Sequence, residues 1–125
     1  MDIQAWLPEP LLLEPGKRAL IPTGLYVSIP QGMEMQIRPR SGLSLKSGIT
    51  LINAPGTIDS DYRGELRVAL VNLGDQPQWI RDGDRIAQMV LAPVEKVLWE
   101  PVEILESSPR GEGGFGSTGG FSPNP

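Results

Sequence analysis

The sequence contains no cysteine and no histidine among its 125 residues. Their absence excludes thiol nucleophiles, imidazole bases and ordinary zinc sites, because each of these needs one of the two side chains. An enzyme built from this chain would therefore use a carboxylate as its base. Any metal ion would be a hard cation held by oxygen ligands, and magnesium is the first expectation.

Long apolar runs are also lacking, so the sequence predicts no segment that spans a membrane. The first residues lack the basic segment and apolar stretch of a signal peptide, and without cysteine there is no disulfide pattern that points to secretion. We therefore expect a cytoplasmic protein. Fifteen acidic against eleven basic residues give a formal net charge of -4, which argues against a general nucleic-acid surface.

What the chain does contain is an apolar fraction of 39%, enough for a folded domain, together with 13 prolines and 15 glycines that leave little room for long helices. Residues 33–38 alternate between apolar and polar side chains at a period of two, as in a half-buried strand. The predicted strands are 19–21, 25–29, 33–38, 66–73, 79–80 and 85–92, with 98–105 as a further candidate. Their spacing favours an antiparallel barrel or sandwich.

A change in composition near Glu106 predicts a boundary between a β domain, residues 1–106, and a Gly-rich C-terminal arm, residues 107–125. A stretch so rich in Gly, Ser and Pro cannot bury enough apolar surface to fold alone. The simplest interpretation is a flexible tail. Arg110, Ser117 and Thr118 nevertheless stand among glycines, and a guanidinium, hydroxyls and free backbone amides could together grip a phosphate.

Two short segments concentrate polar chemistry. Residues 56–65, GTIDSDYRGE, could be a solvated hairpin loop, but that interpretation leaves the aromatic Tyr62 and the apolar Ile58 unexplained. Residues 38–42, RPRSG, offer a donor fork, a hydroxyl and a glycine, which suit a phosphate as well as they suit an exposed basic turn. Asp84 and Arg85, further along, could form a surface ion pair.

Taken together, these segments resemble the motifs of the trimeric dUTP pyrophosphatases, the dUTPases. PRSGL at 39–43, NAPGTIDSDYRGE at 53–65, GDRIAQM at 83–89 and RGEGGFGSTG at 110–119 are similar to four of the five family motifs, in the family's order. The first motif departs from the pattern. Asp2 and Ile3 match its Asp-Leu pair, but its small residues and glycine are absent, so we expect the first strand and part of that motif to be missing.

The resemblance implies a jelly-roll-like antiparallel β-barrel that forms a homotrimer, with the C-terminal arm exchanged between subunits. It implies Mg²⁺-assisted attack of water on the α-phosphorus of dUTP, which gives dUMP and pyrophosphate. Such an activity limits uracil incorporation into DNA and supplies dUMP for dTMP synthesis. Each active site would combine phosphate-binding motifs from one subunit, the nucleoside hairpin from a second and the arm from a third.

By the same resemblance, Asp59 would be the general base and Tyr62 would lie beneath C2′ of the sugar, where a ribose hydroxyl would collide with the ring. Asp2 would hold Mg²⁺ through waters. Asp61 and Glu65 would anchor the loop through ion pairs, with Arg63 or Arg67 as partners. The uracil edge would be read by Asn53, Gly56, Thr57 and Ile58. The α- and β-phosphates would be held by Arg40, Ser41, Gly42 and Gln88. The arm would supply Arg110, Gly116, Ser117 and Thr118 around the γ-phosphate, and the ring of Phe115 would stack on the uracil.

Two other functions stay open at this stage. The related dCTP deaminases share the barrel, but we would expect them to carry a different acidic segment and no Gly-rich closing arm. A trimeric nucleotide-binding regulator that has lost turnover is a second alternative, which the shortened first motif keeps open. Asp59, Tyr62 and the arm favour the hydrolase over both.

Overall fold

The structure, a computed structural model, describes residues 1–114 of the chain. It consists of two units, Met1–Glu95 and Lys96–Pro125. The first unit therefore ends before the predicted boundary at Glu106. In the described part of the second unit there is no strand or helix, so the candidate strand at 98–105 is not formed there.

The first unit consists of short strands and one short helix. In chain order they are β1 (Asp2–Gln4), β2 (Leu11–Leu13), β3 (Arg18–Pro22), β4 (Met33–Arg38), α1 (Ser41–Ser47), β5 (Ile49–Leu51), β6 (Gly56–Ile58), β7 (Arg67–Asn72), β8 (Gln78–Ile80) and β9 (Arg85–Pro93). None of the helices in the described residues is long and apolar enough to cross a membrane.

The strands form three antiparallel sheets, with the orders β1-β9-β4-β6, β2-β8 and β3-β7-β5. This confirms the predicted all-β, antiparallel class. The register of the four-stranded sheet matters for the site. Asp2 of β1 and Arg38 of β4 both lie opposite Gln88 of β9, so three polar residues are aligned across three neighbouring strands.

In the first unit too, a predicted strand is wrong: residues 25–29 form no ladder. The backbone there makes isolated contacts instead. The Leu25 amide donates to Thr23 Oγ1 at 3.2 Å, and the Leu25 carbonyl accepts from the Leu66 amide at 2.8 Å. Helix α1 and four strands of three residues each, β1, β2, β5 and β6, were not predicted. A strand of three residues is too short for a period of two to be visible.

The core lies between the sheets and is almost entirely aliphatic, with Ile21 and Leu70 fully buried. Asn72 is a polar exception, also fully buried. Its side-chain amide donates to the carbonyls of Leu13 at 2.9 Å and Gln76 at 2.8 Å, and its oxygen accepts from the Gly74 amide at 2.9 Å. A buried amide satisfied in this way fixes where β7 ends relative to β2.

Candidate active site

The aligned ends of β1, β4 and β9 bring together a cluster of charged side chains. The carboxylate of Asp2 lies 3.4 Å from Arg40 Nε and 3.6 Å from Arg85 Nη1, and it accepts a long hydrogen bond of 3.5 Å from Gln88 Nε2. Two guanidiniums face one carboxylate, so the cluster keeps an excess of positive charge. Such a surface suits an anionic ligand.

Arg40 occupies the position just before α1, where its carbonyl accepts from the Ser44 amide at 3.0 Å. Its Nη1 donates to the carbonyl of Arg85 at 3.1 Å, which ties the guanidinium to the start of β9. Its Nε is buried and makes no hydrogen bond within the described residues, because the Asp2 oxygen is poorly aligned with it. A ligand oxygen could satisfy this donor.

A cavity of about 310 Å³ opens beside this cluster. Its polar lining is Arg40, Ser41, Gly42, Lys46, Ser47 and Gln88. The structure therefore brings together all four residues that the sequence assigned to the α- and β-phosphates. Lys46, in the last turn of α1, adds a further positive charge that the sequence analysis did not include.

Among the described residues, no group of three or more His, Cys, Asp or Glu side chains could hold a metal ion. The donor set near the cavity contains one carboxylate, that of Asp2, which is about one-third exposed. A single carboxylate does not make a protein cage for a cation. It fits a magnesium ion that takes most of its ligands from substrate phosphates and water, which is a common way for proteins to bind this metal.

The hairpin at 53–66 forms the second part of the site. β6 pairs with β4, and Gly56 lies opposite Ile37. Gly56 is buried, and a Cβ at this position would be 3.2 Å from Asn53 Nδ2 and 3.4 Å from Ile37 Cβ. The side chain of Asn53 thus packs directly against the backbone of Gly56. Gly56 and Ile58 both belong to β6, so Asn53, Gly56 and Ile58, three of the residues predicted to read uracil, lie on one short segment.

A tight turn after β6 carries the two residues on which the predicted chemistry depends. The Tyr62 amide donates to the Asp59 carbonyl at 3.2 Å. Arg63 Nη1 donates to the carbonyls of Ser60 and Tyr62, both at 2.8 Å, and so holds the turn from its outer side. Asp59 is exposed at the end of β6. Arg63 thus binds backbone carbonyls and is not the ion-pair partner of Asp61 or Glu65 in the described residues. Asp61 forms no ion pair among the residues that the structure describes.

The ring of Tyr62 is 42% exposed and lies over Gly64, where any Cβ would collide with it. Its hydroxyl donates to the Glu65 carbonyl at 2.9 Å. The ring borders a cavity of about 500 Å³ that is also lined by Leu20, Ile58, Gly64, Glu65 and Arg67; Asp59 does not line it. The predicted anchor Glu65 does pair with Arg67, at 2.8 Å.

The pKa of Glu65 is lowered from its ordinary value of 4.5, chiefly by the hydrogen bond from Arg67 and next by the one from the Gly24 amide. The carboxylate is therefore the stable form of this side chain at neutral pH.

The cavity beside Tyr62 and the cavity beside Arg40 share no lining residue. Within one copy of the chain, the nucleoside hairpin and the phosphate cluster are two separate sites. Their meeting across copies stays a prediction.

Arg110 is the arm residue that lies within the described part of the second unit. Its Nε donates to the Gly113 carbonyl at 2.6 Å, and the Gly113 amide donates back to the Arg110 carbonyl at 3.1 Å, which closes a turn. The other predicted arm residues, Phe115, Gly116, Ser117 and Thr118, lie outside the described residues.

The ion pair between Asp84 and Arg85 that the sequence left open is not formed in the described residues. Instead of an ion pair with Asp84, Arg85 approaches Asp2, and Asp84 Oδ2 accepts from the Arg81 amide at 2.7 Å. The partners are 83 positions apart in the chain, and only the pairing of β1 with β9 brings them together. No local signal in the sequence could have indicated this contact.

Comparison with known proteins points to one family. The dUTPase family model matches residues 2–119. The chain is 55% identical to the deoxyuridine 5'-triphosphate nucleotidohydrolase of Finegoldia magna over 119 residues, which cover 95% of this chain and 83% of the relative. It is 57% identical to the protein of the same name from Desulfotalea psychrophila, with 95% and 79% of the two chains covered.

Solved structures give the same result. A mutant dUTPase of Staphylococcus bacteriophage 80alpha, solved with dUpNHpp, superposes with a TM-score of 0.78 at 32% identity, over 94% of this chain and 84% of the other. A mutant dUTPase from phage phi11 of S. aureus, with a coordinated structural Mg(II) ion, has a TM-score of 0.74 at 28% identity, over 85% and 84%. The β-rich fold, the order of the motifs and the extent of the matches lead to one conclusion: this chain belongs to the dUTPase family.

Proposed function

We propose that this protein hydrolyses dUTP to dUMP and pyrophosphate. The observation that carries the proposal is the presence of two local sites, each built from family motifs: one turn that holds Asp59 and Tyr62, and one cavity lined by Arg40, Ser41 and Gln88. The two alternatives, a dCTP deaminase and a regulator without turnover, are not favoured, because the curated relatives at 55–57% identity are named dUTP hydrolases.

Asp59 is the proposed general base. Its exposed carboxylate at the end of β6 is free to orient a water molecule and take its proton as the oxygen attacks the α-phosphorus. A carboxylate is a weak base for removing a proton from water. Most of the rate enhancement must then come from holding the water in line with the phosphorus and from neutralising charge on the triphosphate.

The hairpin supplies specificity in this proposal. Asn53 and the backbone of 56–58 contact the uracil edge, and their close packing leaves no space for a methyl group on C5, which excludes thymine. Tyr62 lies against C2′ of the deoxyribose, so that a 2′-hydroxyl collides with the ring. Rejection by collision discriminates well where the site is packed too tightly to relax.

The phosphates bind at the cavity beside Arg40. The guanidinium of Arg40, the hydroxyl of Ser41, the backbone at Gly42 and the amide of Gln88 donate to the α- and β-phosphates. Asp2 is the residue that would hold Mg²⁺, through water molecules. When bound, the cation neutralises negative charge on the phosphates. Asp2 also lies within 3.4 Å of Arg40 Nε and 3.6 Å of Arg85 Nη1, so it helps to hold the Arg40 guanidinium beside the cavity.

We further propose that the active unit is a homotrimer. The segment 97–105 carries five large apolar side chains that are at least 70% exposed in the single chain, namely Val97, Leu98, Trp99, Ile104 and Leu105. So much exposed apolar surface in one short segment is costly in water and is typical of a region that is covered by a partner. Packing on a neighbouring copy would carry the following arm, from Arg110 onward, to that neighbour's site.

In the trimer, each site then combines the phosphate cavity of one copy, the hairpin of a second and the arm of a third. The arm residues Phe115, Gly116, Ser117 and Thr118, with Arg110, close over the substrate and exclude water. We retain a cytoplasmic location as part of this proposal, to be checked by cell fractionation.

The test is an assay of the purified chain with dUTP and MgCl₂, with the products separated by chromatography and the solution mass measured in parallel. We expect dUMP and pyrophosphate in equal amounts from a species of three chains. Incubation with dCTP should release no ammonia. Ammonia release would support the deaminase, and dUTP binding without products would support the regulator; either result would overturn the proposal.

A further inference from the structure

Hydrogen bonds connect the residues that follow Tyr62 to the loop between β3 and β4. Glu65 Oε1 accepts from the Gly24 amide at 3.0 Å, and Glu65 Oε2 accepts from Arg67 Nε at 2.8 Å. We call these three residues, Glu65, Gly24 and Arg67, the Glu65 clamp. Next to it, Thr23 Oγ1 donates to the Leu66 carbonyl at 2.6 Å.

Packing around Gly24 and the burial of the Glu65 side chain restrict the movement of the clamp. Gly24 has a positive φ of +68°, which favours glycine, and a Cβ there would be 3.4 Å from Trp6 Cδ2, so the indole packs against this residue. The Glu65 side chain is only 11% exposed, although Arg67 is about half exposed. Charge-assisted hydrogen bonds to a mostly buried carboxylate are among the stronger polar contacts in proteins.

The main chain of Glu65 in turn holds Tyr62. Its carbonyl accepts the Tyr62 hydroxyl proton at 2.9 Å, while the ring lies over Gly64. The side chain of Glu65 fixes the same residue to Gly24 and Arg67. Any movement of Glu65 would therefore move the acceptor that sets the position of the ring.

We propose that Glu65 is a positioning residue for sugar discrimination, which acts by fixing Tyr62 through the Glu65 clamp. The inference rests on the proposed function, in which Tyr62 faces C2′ of the deoxyribose. Exclusion of a 2′-hydroxyl depends on a ring that does not yield. A shift of the ring by a fraction of an ångström removes most of a steric penalty, whereas it changes contacts to the uracil and the phosphates little.

The clamp predicts that Glu65→Gln improves the use of UTP more than it impairs the use of dUTP. The glutamine keeps an acceptor for the Gly24 amide but loses the ion pair with Arg67. We expect the ratio of kcat/KM for dUTP to kcat/KM for UTP to fall about tenfold, since loss of one charge-assisted bond loosens the ring without removing it. A general loss of stability would instead lower both values together.

The matched control is Glu34→Gln. Glu34 lies on β4, is partly buried, and accepts a side-chain hydrogen bond from Gln36 at 2.6 Å, so this change removes the same charge from a bonded carboxylate outside the Glu65 clamp. Its dUTP/UTP ratio should equal that of the wild type. If Glu65→Gln does not fold, Arg67→Gln provides the test. This variant breaks the ion pair but leaves the bond between Glu65 and Gly24, so we expect it to reproduce part of the fall in the dUTP/UTP ratio.

The outcomes separate the inference from the proposed function. If Tyr62→Ala relaxes the rejection of UTP but neither Glu65→Gln nor Arg67→Gln changes the ratio, the clamp is not a positioning device and the inference is wrong. If Tyr62→Ala leaves the dUTP/UTP ratio unchanged, the proposed role of Tyr62 is wrong, and the inference about Glu65 is wrong with it. In the double variant Glu65→Gln/Arg67→Gln, we expect no further fall beyond that of Glu65→Gln, because both changes remove one shared contact.

Discussion

At the scale of single residues, the turn after β6 is where, in the proposed function, a chain without histidine would combine acid–base chemistry with sugar selection. The hydrogen bond from the Tyr62 amide to the Asp59 carbonyl places the proposed base and the proposed sugar contact in one turn. Arg63 stabilises that turn by binding two of its carbonyls. Asp59 does not line the cavity that the Tyr62 ring borders, so the proposed site must extend beyond that cavity to reach the base.

Replacement of the base tests this arrangement. Asp59→Asn should retain dUTP binding, because the amide has nearly the shape of the carboxylate, while kcat falls by at least about 100-fold. Asp61→Asn is the matched control, since Asp61 is an exposed carboxylate in the same turn. Calorimetric titration with a non-hydrolysable dUTP analogue and a steady-state assay measure the two effects. Unchanged turnover in Asp59→Asn would remove this residue from its role.

The lowered pKa of Glu65 predicts how stability depends on pH. A carboxylate with a folded-state pKa below its unfolded value stabilises the fold above the unfolded value, and this contribution is lost as the pH falls through the folded value. The unfolding temperature of the wild type should therefore exceed that of Glu65→Gln by a constant margin at pH 6–7, within the plateau above about 4.5. The margin should shrink below that pH, and a margin that grows on acidification would contradict the ion pair. High salt should also reduce it.

At the scale of elements, the sequence predicted the longer strands and missed four of the five strands that have three residues. β4 and β9 carry enough residues for a period or a β-rich run to be visible, and both were predicted within one residue of their ends. β6 has three residues and forms only by pairing with β4, a contact that no local pattern contains. The predicted strand at 25–29 has suitable side chains, but its backbone is taken by Thr23 and Leu66.

The candidate site shows the same division. Asp59, Tyr62 and Arg40 could be predicted because each lies in a contiguous motif that resembles a known family. The partners that hold them could not, since Gly24 and Glu65 are 41 positions apart and meet only through tertiary packing.

The end of α1 offers a test at this scale. Gly48 has a φ of +68°, and a Cβ there would collide with the backbone of Gly74. Gly16 has a similar φ of +73° with open space around it. Gly16→Ala should therefore cost about 1 kcal/mol, the penalty for a left-handed alanine. Gly48→Ala should cost about 3 kcal/mol or more, because the clash adds to that penalty.

Urea unfolding at one fixed protein concentration, followed by tryptophan fluorescence, measures both free energies. Equal costs for the two glycines would show that the close approach of Gly48 to Gly74 does not restrict the end of α1.

At the scale of the whole molecule, the described residues of one copy keep the two proposed parts of the site, the phosphate cavity and the nucleoside hairpin, apart. The phosphate cavity and the nucleoside cavity share no residue, and the exposed apolar segment 97–105 precedes the arm. A chain with a net charge of -4 must also attract a polyanionic substrate. The local excess of guanidiniums around Asp2 can do so, because distant acidic residues are screened over about 10 Å at ordinary salt.

Complementation between two inactive variants tests the shared site most directly. One variant is Asp59→Asn, and the other is truncated after Pro109 so that it lacks the arm. The two are co-expressed, and mixed trimers are verified by native mass spectrometry. If the hairpin and the arm of one site come from different copies, random assembly should restore about one quarter of the sites. Activity near that fraction is the predicted result, and mixed trimers that stay inactive would contradict a site built from neighbouring copies.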